Sequence, residues 1–255
     1  MDRQKVICRD LGVMAYKLAW DYQERLLRAN VDKKIAARNL PADAPAVTTI
    51  ELDSEPAAFA PGNADTQHYL LFVEHPPVYT LGKSGDIAHA LLTEEGMKTR
   101  GIDFFHTNRG GDITFHGPQQ VVGYPILDLE KFYTDIGRYL RNLEETIIMT
   151  LAAYGISAGR SAGETGVWID PDIKGKERKI CAIGVRSSRW ITMHGFALNV
   201  NTDLDYFNFI IPCGIQDKQV TSIEKELGRA VDVQEVKNKL RKNFSIVFNA
   251  DIVDG

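Results

Sequence analysis

Cysteine is scarce in this chain, and its spacing matches no common structural site. The 255 residues include three cysteines, Cys8, Cys181 and Cys213. An odd number without CxxC spacing fits neither a disulfide framework nor a zinc site, so we expect no metal centre. We predict free thiols in a reducing compartment, with at least one available for chemistry. The alternative is that each is a small buried hydrophobe, the usual state of free cysteine.

Other features are also missing. No apolar run approaches the roughly 20 residues that span a bilayer, and the opening MDRQKVICRD lacks the pattern of a signal peptide. The net charge of −4 argues against a general nucleic-acid binder. Neither the GxGxxG nor the GxxxxGK[ST] phosphate loop occurs. We therefore expect a cytoplasmic protein that binds neither membranes nor nucleic acid.

The order of the segments predicts an α+β fold, with a mixed sheet flanked by helices. We predict an amphipathic helix within residues 1–30 and an irregular surface insertion at 31–66, where proline is concentrated. Strand-like runs then alternate with turns, and TDIGRYLRNLEETIIMTLAAYGI is the clearest helix. The tail predicts one or two short helices. Hairpins without strict βαβ alternation favour one mixed domain over 1–255.

Two segments carry residues that suit acyl transfer. Lys179 heads the apolar run KICAIGV, and Cys213 follows a proline in FIIPCGI. A thiol is nucleophilic as thiolate, and a nearby ammonium group lowers the pKa of the thiol. If the fold brings Lys179 to Cys213, the pair is an acyl-transfer site. The alternatives are a solvated lysine at a hairpin tip and a structural cysteine in a turn.

Further candidates lie in two glycine-containing segments. RGGDITFHG combines Arg109, able to fork to a carboxylate or phosphate, with two glycines that permit close backbone approach and with His116. The alternative is a tight turn between two strands. His194 and Gly195 interrupt the apolar strand MHGFALNV, where a histidine is more often a core residue than a catalyst. Cys181 lies mid-strand, which predicts burial.

Together these segments resemble the lipoyl(octanoyl) transferases, which move an octanoyl group from acyl carrier protein to a lysine of lipoyl-domain proteins. The matching text is EHPPVYTLG at 74–82, RGGDITFHGPQQVVGYPILDL at 109–129, TGVWI at 165–169, KICAIGVRSSRWITMHGFALNV at 179–200 and IPCGI at 211–215. The ordered matches run from about residue 70 to 228, and the stretch 31–66 looks unlike the family's usual compact N-terminal region.

The resemblance implies a fold shared with biotin and lipoate protein ligases. It also implies an acyl-thioester on Cys213 and a pKa-lowering role for Lys179. The substrate-binding residues that it implies are Arg109, Gly110, Gly111, Asp112, Ile113, Thr114, Phe115, His116, Ala182, Ile183, Gly184, Gly195, Phe196 and Ala197. Two departures stand out. Gln119 replaces a family glycine and could reshape the pocket mouth, and Cys181 replaces a common alanine and adds a second thiol near the site.

The chemistry implied is a ping-pong transfer without a cofactor, because the donor carries its own phosphopantetheine arm. Octanoyl-acyl carrier protein is the implied donor. Lipoyl domains of 2-oxoacid dehydrogenase E2 subunits and the glycine cleavage H protein are the implied acceptors. Lys179, His116 or His194 could deprotonate the acceptor lysine. The alternative functions are an ATP-dependent lipoate or biotin ligase and an inactive acyl-binding module of the same fold.

Overall fold

The computed structural model describes residues 3–39, 65–211 and 219–255. The first half contains β1 (Gln4–Val13), α1 (Tyr16–Asn39), β2 (His68–Glu74), β3 (Val78–Leu81), α2 (Glu94–Thr99), β4 (Asp103–His106), β5 (Ile113–His116) and β6 (Gln120–Ile126). The second half contains α3 (Ile136–Ala152), β7 (Val167–Ile169), β8 (Arg178–Ser188), β9 (Ile191–Asn199), β10 (Gln219–Val220), α4 (Ile223–Leu227), α5 (Val233–Phe248) and β11 (Ala250–Asp254).

Two sheets organise these elements. The large sheet has the strand order β10-β8-β9-β6-β2-β1-β11, and β7 also pairs with β8. The small sheet has the order β4-β3-β5. Parallel and antiparallel ladders occur in both sheets. Helices α3 and α5 pack on one face of the large sheet, and α1 packs on β6 and β9 from the other. The predicted α+β class with a mixed, helix-flanked sheet is confirmed.

Local sequence explains the clearest elements. In α3, Tyr139, Leu143, Ile147 and Leu151 recur every four residues and are fully buried, as expected for a helix with one apolar face. The Asp135 side chain accepts the Arg138 N–H at its start, satisfying a backbone donor that the helix leaves unpaired. Pro76 and Pro77 fall between β2 and β3 rather than inside a strand.

The N-terminal region differs from the sequence expectation. Val13 ends β1 and is 73% exposed, and Leu18 is 62% exposed, so neither belongs to the buried face of α1. That face includes polar Gln23, Asn30 and Lys34, which weakens the apolar periodicity of the helix. Helix α1 continues through Asn39, into the stretch predicted to be irregular from residue 31. Residues 40–64 of that predicted insertion lie outside the described residues.

The C-terminal region contains two helices where one or two short ones were predicted; α4 is short, but α5 spans 16 residues. It also contains one strand that was not predicted. Strand β11 pairs in parallel with β1 at the sheet edge. Among the three described ranges, no helix is long and apolar enough to cross a membrane.

Candidate active site

A cavity of about 270 Å³ opens over β6, β8 and β9, beside the loop at 109–112. Twelve of the predicted substrate-binding residues line it: Arg109, Gly111, Asp112, Ile113, Thr114, His116, Ala182, Ile183, Gly184, Gly195, Phe196 and Ala197. Lys179 lines it as well. The other two predicted residues lie outside the lining. Gly110 donates its N–H to the Val185 carbonyl (3.0 Å), and Phe115 stacks on Tyr206 with ring centres 4.5 Å apart.

Lys179 lies at one end of the cavity and is half-buried. Its backbone is held between β7 and β10, where Trp168 and Val220 are its register partners. Its ammonium nitrogen lies 4.6 Å from the centre of the Trp168 ring. A cation over an indole face is attracted by the ring quadrupole, so this contact helps to hold the ammonium group in place.

Cys213 lies outside the described residues, so the structure does not test its contact with Lys179. The chain is anchored on both sides of the undescribed stretch 212–218. Before it, Ile211 donates its N–H to the His89 carbonyl (2.8 Å). After it, Thr221 donates its N–H to the Lys179 carbonyl (2.9 Å). The described chain therefore resumes directly beside Lys179.

Arg109 is buried, and its guanidinium binds protein oxygens. Nη2 donates to the carbonyl and the hydroxyl of Thr80 (2.6 and 2.9 Å), and Nη1 donates to the Gly110 carbonyl (3.1 Å). These bonds join the 109–112 loop to β3. The sequence suggested that the Arg109 guanidinium binds a carboxylate or a phosphate. In the structure, both of its terminal nitrogens donate hydrogen bonds to oxygens of the protein.

His116 is fully enclosed by a hydrogen-bond network. Gln120 donates from Nε2 to the Phe115 carbonyl (3.1 Å) and to Asn199 Oδ1 (2.9 Å), which turns its oxygen towards His116 Nδ1 (2.9 Å). His116 Nδ1 is therefore the protonated nitrogen, and Nε2 faces the Thr80 hydroxyl at 3.4 Å. Desolvation, with His75 and Arg109 nearby, holds the pKa of His116 well below its ordinary value.

A tyrosine–histidine pair lies beside His116. His75 donates from Nδ1 to the Met14 carbonyl (2.7 Å), so its Nε2 accepts the Tyr124 hydroxyl (2.7 Å). Burial lowers the pKa of His75 to about 4 and raises the pKa of Tyr124 well above its ordinary value. Burial also raises the pKa of Tyr16, which stacks on His116, to about 12. These rings are therefore uncharged at neutral pH.

His194 lies at the other end of the cavity, in a strained backbone conformation with φ of 57°. Its N–H donates to the buried Gln23 side chain (2.9 Å), which supports that conformation. Asn108 donates from Nδ2 to Glu24 (3.1 Å), so its Oδ1 faces His194 Nε2 (2.8 Å) and accepts a hydrogen bond from it. Burial, with Arg109 and Arg186 nearby, lowers the pKa of His194 to about 3.

The two ends of the cavity are well separated. His194 pairs with Val185, six residues along β8 from Lys179. At about 3.3 Å per residue, their backbones lie roughly 20 Å apart. Lys179, Asn199 and Val220 mark one end, and Tyr124 and His194 mark the other. The cavity therefore extends along β8 and β9 from Lys179 towards His194.

Gly195 serves the packing of the sheet. A Cβ at this position would lie 2.1 Å from the Gly123 carbonyl oxygen and 2.7 Å from Pro125 Cδ. Glycine is therefore required because β6 approaches closely. The sequence suggested that the absence of a side chain at Gly195 leaves room for a ligand. In the structure, the backbone of β6 occupies that space.

The two departures from the family pattern lie away from the cavity lining. Gln119 adopts φ of 58°, a region that glycine enters readily. Its side-chain oxygen accepts from Asn201 (2.7 Å), and its N–H donates to Glu74 (3.0 Å). Cys181 is fully buried within the core under β8, and desolvation raises the pKa of its thiol. Gln119, expected to reshape the pocket mouth, does not line the cavity, and neither does Cys181, expected to add a second thiol near the site.

Sequence reasoning missed several lining residues: Tyr16, Gln120, Val122, Tyr124, Glu164, Thr165, Asn199, Phe207 and Val220. Gln120 and Asn199 lie within the quoted motifs at 109–129 and 179–200, so their positions gave a usable signal. Tyr16 on α1 gave none, because only the folded chain brings that helix to β9. Within the described part of the chain, no group of three His, Cys, Asp or Glu side chains is placed to hold a metal ion.

Comparison with known proteins identifies the family. The model of the lipoyl protein ligase A/B catalytic domain matches residues 52–245. The chain therefore belongs to the lipoyl protein ligase A/B catalytic-domain family.

Two relatives match along nearly their whole length. An octanoyltransferase from Flavobacterium johnsoniae is 54% identical over 98% of this chain and 99% of its own. Another from Christiangramia forsetii is 51% identical over 98% of each chain.

One solved structure with this fold is the bipartite lipoate protein ligase of Thermoplasma acidophilum, determined with its E2 lipoyl domain. It superposes with a TM-score of 0.65, covering 99% of this chain and 87% of its own, at 17% identity. The likeness establishes the lipoate protein ligase-like fold.

Proposed function

We propose that this chain transfers an octanoyl group from acyl carrier protein to a lysine of lipoyl-domain proteins, the first step in making protein-bound lipoate. The observation that carries the proposal is the near full-length match, at about half identity, to octanoyltransferases. A cavity walled largely by apolar side chains, with a lysine at one end, suits a medium-length acyl thioester.

The proposed reaction has two half-reactions on Cys213. First, the Cys213 thiolate attacks the octanoyl thioester of the carrier, the bond between the acyl carbon and the phosphopantetheine sulfur breaks, and the departing sulfur takes a proton from the Lys179 ammonium group. Lys179 stabilises the thiolate as a neighbouring ammonium group. Second, the acceptor amine attacks the acyl-enzyme, a C–N bond forms, and the Cys213–acyl bond breaks. The amine proton ends on the departing sulfur. A thioester is converted to an amide, so we propose that neither ATP nor a metal is needed.

The three candidates for the base are not equivalent in geometry. His116 has a partner at each ring nitrogen and a depressed pKa. His194 lies roughly 20 Å along the sheet from Lys179, and its pKa of about 3 makes it a weak base. We propose that Lys179 itself relays the proton from the acceptor amine to the sulfur.

The test is intact-protein mass spectrometry after incubation with octanoyl-acyl carrier protein, without ATP and without an acceptor. We expect an octanoyl mass gain that hydroxylamine removes and that Cys213→Ala lacks. Subsequent addition of a lipoyl domain should move the mass to that domain. A folded protein that gains no mass but modifies the lipoyl domain with free octanoate and ATP would instead be a ligase. Failure in both assays would indicate an inactive acyl-binding module.

A further inference from the structure

Glu144 is a buried carboxylate to which the proposed reaction assigns no role. It lies on α3, and its side chain is fully excluded from solvent. Oε2 accepts from Arg141 (2.7 Å) and Arg160 (2.9 Å), while Oε1 accepts the backbone N–H of Gly166 (3.1 Å). A carboxylate at this depth is retained only where its charge and lone pairs are satisfied. The two arginines balance the charge of Glu144, and its Oε1 binds the backbone of the 164–168 segment.

That segment is in contact with Lys179. Gly166 has φ of 125°, and a Cβ there would lie 2.7 Å from the Cys181 carbonyl and 3.5 Å from Lys179 Cε. The Gly166 backbone therefore lies against the methylene stem of Lys179. Two residues later, the Trp168 ring lies under the Lys179 ammonium group at 4.6 Å. One short stretch of chain thus contacts both the stem and the head of the lysine.

The same segment forms a wall of the cavity. Glu164 and Thr165 line it beside Lys179. Trp168 is fixed separately, because its N–H and carbonyl bond Gly159 at 2.9 and 2.8 Å. The backbone hydrogen bond from Gly166 to Glu144 is the link between this wall and the buried face of α3.

We propose that Glu144 is a positioning residue for Lys179. By holding the Gly166 N–H, its carboxylate fixes the 164–168 segment against the lysine stem and keeps the ammonium group over Trp168 at the cavity end. Glu144 contacts neither the cavity nor the reacting atoms and acts through Lys179. The consequence for transfer rests on the proposed function, whereas the placement of Lys179 does not.

The chain offers a matched control in the next residue. Glu145 also bonds Arg160 (2.6 Å), but its side chain is 44% exposed and its bond is directed at Nη2 of that arginine. Glu145→Gln removes the same charge from the same helix and leaves the Gly166 bond in place. Glu144→Asp provides a milder test. It keeps a negative charge near the arginines but is one methylene too short to reach the Gly166 N–H.

The experiment measures Lys179 directly. Each variant is treated with trace acetic anhydride, and acetylation of Lys179 is quantified by peptide mass spectrometry against exposed Lys225. We expect Glu144→Gln and Glu144→Asp to raise Lys179 labelling several-fold, with the protein still folded by near-UV circular dichroism. Octanoyl transfer should fall on the order of 100-fold, the loss expected when a catalytic group moves by about 1 Å. Glu145→Gln should change neither quantity.

Wild-type labelling of Lys179 in a folded Glu144→Asp protein would overturn the proposal, and so would an equal response in Glu145→Gln. If wild-type protein itself shows no transfer, the proposed function fails, and the labelling comparison still decides whether Glu144 positions Lys179. If Glu144→Gln does not fold, Glu144→Asp carries the test.

Discussion

The ammonium group of Lys179 lies 4.6 Å from the centre of the Trp168 ring, and the two residues are register partners in the β7–β8 ladder. The ring is almost completely buried, so its face is a fixed surface. The ring thereby helps to hold the Lys179 side chain at the end of the cavity where the described chain resumes after Cys213.

Trp168→Phe should weaken this support while keeping an aromatic core residue. Tryptophan is the best aromatic partner for a cation, and the contact is worth about 1 kcal/mol, so we expect a roughly fivefold slower acyl-enzyme formation. The measurement is the single-turnover rate with octanoyl-acyl carrier protein at several pH values. Trp190→Phe, at the turn between β8 and β9, is the control and should retain the wild-type rate. An unchanged rate in Trp168→Phe would remove the proposed contribution of the ring.

Cys213 should be the one thiol that reacts at neutral pH. Burial raises the pKa of Cys8 to about 11 and raises that of Cys181 further, so neither is a thiolate at pH 7. We expect Cys213→Ala to abolish acylation and Lys179→Arg to slow it severely, because the bulkier cation disturbs the geometry. Cys8→Ser should acylate normally. The measurement is the octanoyl adduct by intact mass, and full activity in Cys213→Ala would refute the mechanism.

Local patterns in the sequence were sufficient for some parts of the fold. Leu143, Ile147 and Leu151 are spaced four residues apart, which predicts α3 directly because an amphipathic helix buries one apolar face. Helix α1 was harder to predict, because Gln23, Asn30 and Lys34 lie on its buried face, where each makes a hydrogen bond with a residue distant in sequence. Such pairing depends on tertiary contacts, which periodicity does not contain.

The candidate site, like the fold, could be predicted from local sequence only in part. Residues in contiguous motifs, such as Thr114 and Ala182, could be chosen from the sequence because one strand carries several of them. Tyr16 could not, because only the packing of α1 brings it to the cavity. Glu144 gave no signal at all, since a glutamate on an amphipathic helix usually faces solvent. Its burial follows from Arg160 and Gly166, which are distant in sequence.

The apolar wall should set the chain length of the acyl group. Each buried methylene contributes about 0.8 kcal/mol, so a hexanoyl donor should react roughly 15-fold less efficiently than octanoyl in the wild-type protein. Ala182→Leu adds bulk to the cavity wall and should shift the preference towards hexanoyl. Comparison of kcat/KM for the two donors measures the shift. Ala152→Leu, at the exposed end of α3, is the control, and an unchanged ratio in Ala182→Leu would contradict the assignment of the wall.

Gln119→Gly should leave catalysis unchanged. The side chain bonds Asn201 outside the cavity lining, so acyl selectivity does not depend on it. Stability should change by less than about 1 kcal/mol, because relief of the left-handed backbone conformation offsets the lost hydrogen bond. The hexanoyl-to-octanoyl ratio and the unfolding midpoint measure both claims. A changed ratio would show that the position reaches the acyl site after all.

Four buried histidines should make the fold sensitive to acid. Burial lowers the pKa of His68 and His75 to about 4 and that of His194 to about 3, and holds the pKa of His116 well below its ordinary value. In the unfolded chain each protonates near pH 6.5, whereas in the folded protein it stays neutral. The unfolded state thus binds more protons between about pH 6.5 and 4, and stability falls as the pH falls through that window.

The size of this loss of stability follows from the change in unfolding free energy per pH unit. Each histidine contributes about 1.4 kcal/mol per pH unit within the window, so four together remove roughly 5 kcal/mol per unit, comparable to the whole stability of many domains. Urea denaturation at pH 7.5, 6.5 and 5.5 should therefore show a steep loss of unfolding free energy below pH 6.5. His75→Gln should reduce the slope by about 1.4 kcal/mol per pH unit, the value for one proton, and His106→Gln, at an exposed position, is the matched control substitution. Equal stability at pH 7.5 and 5.5 would mean that these rings are protonated in the native protein.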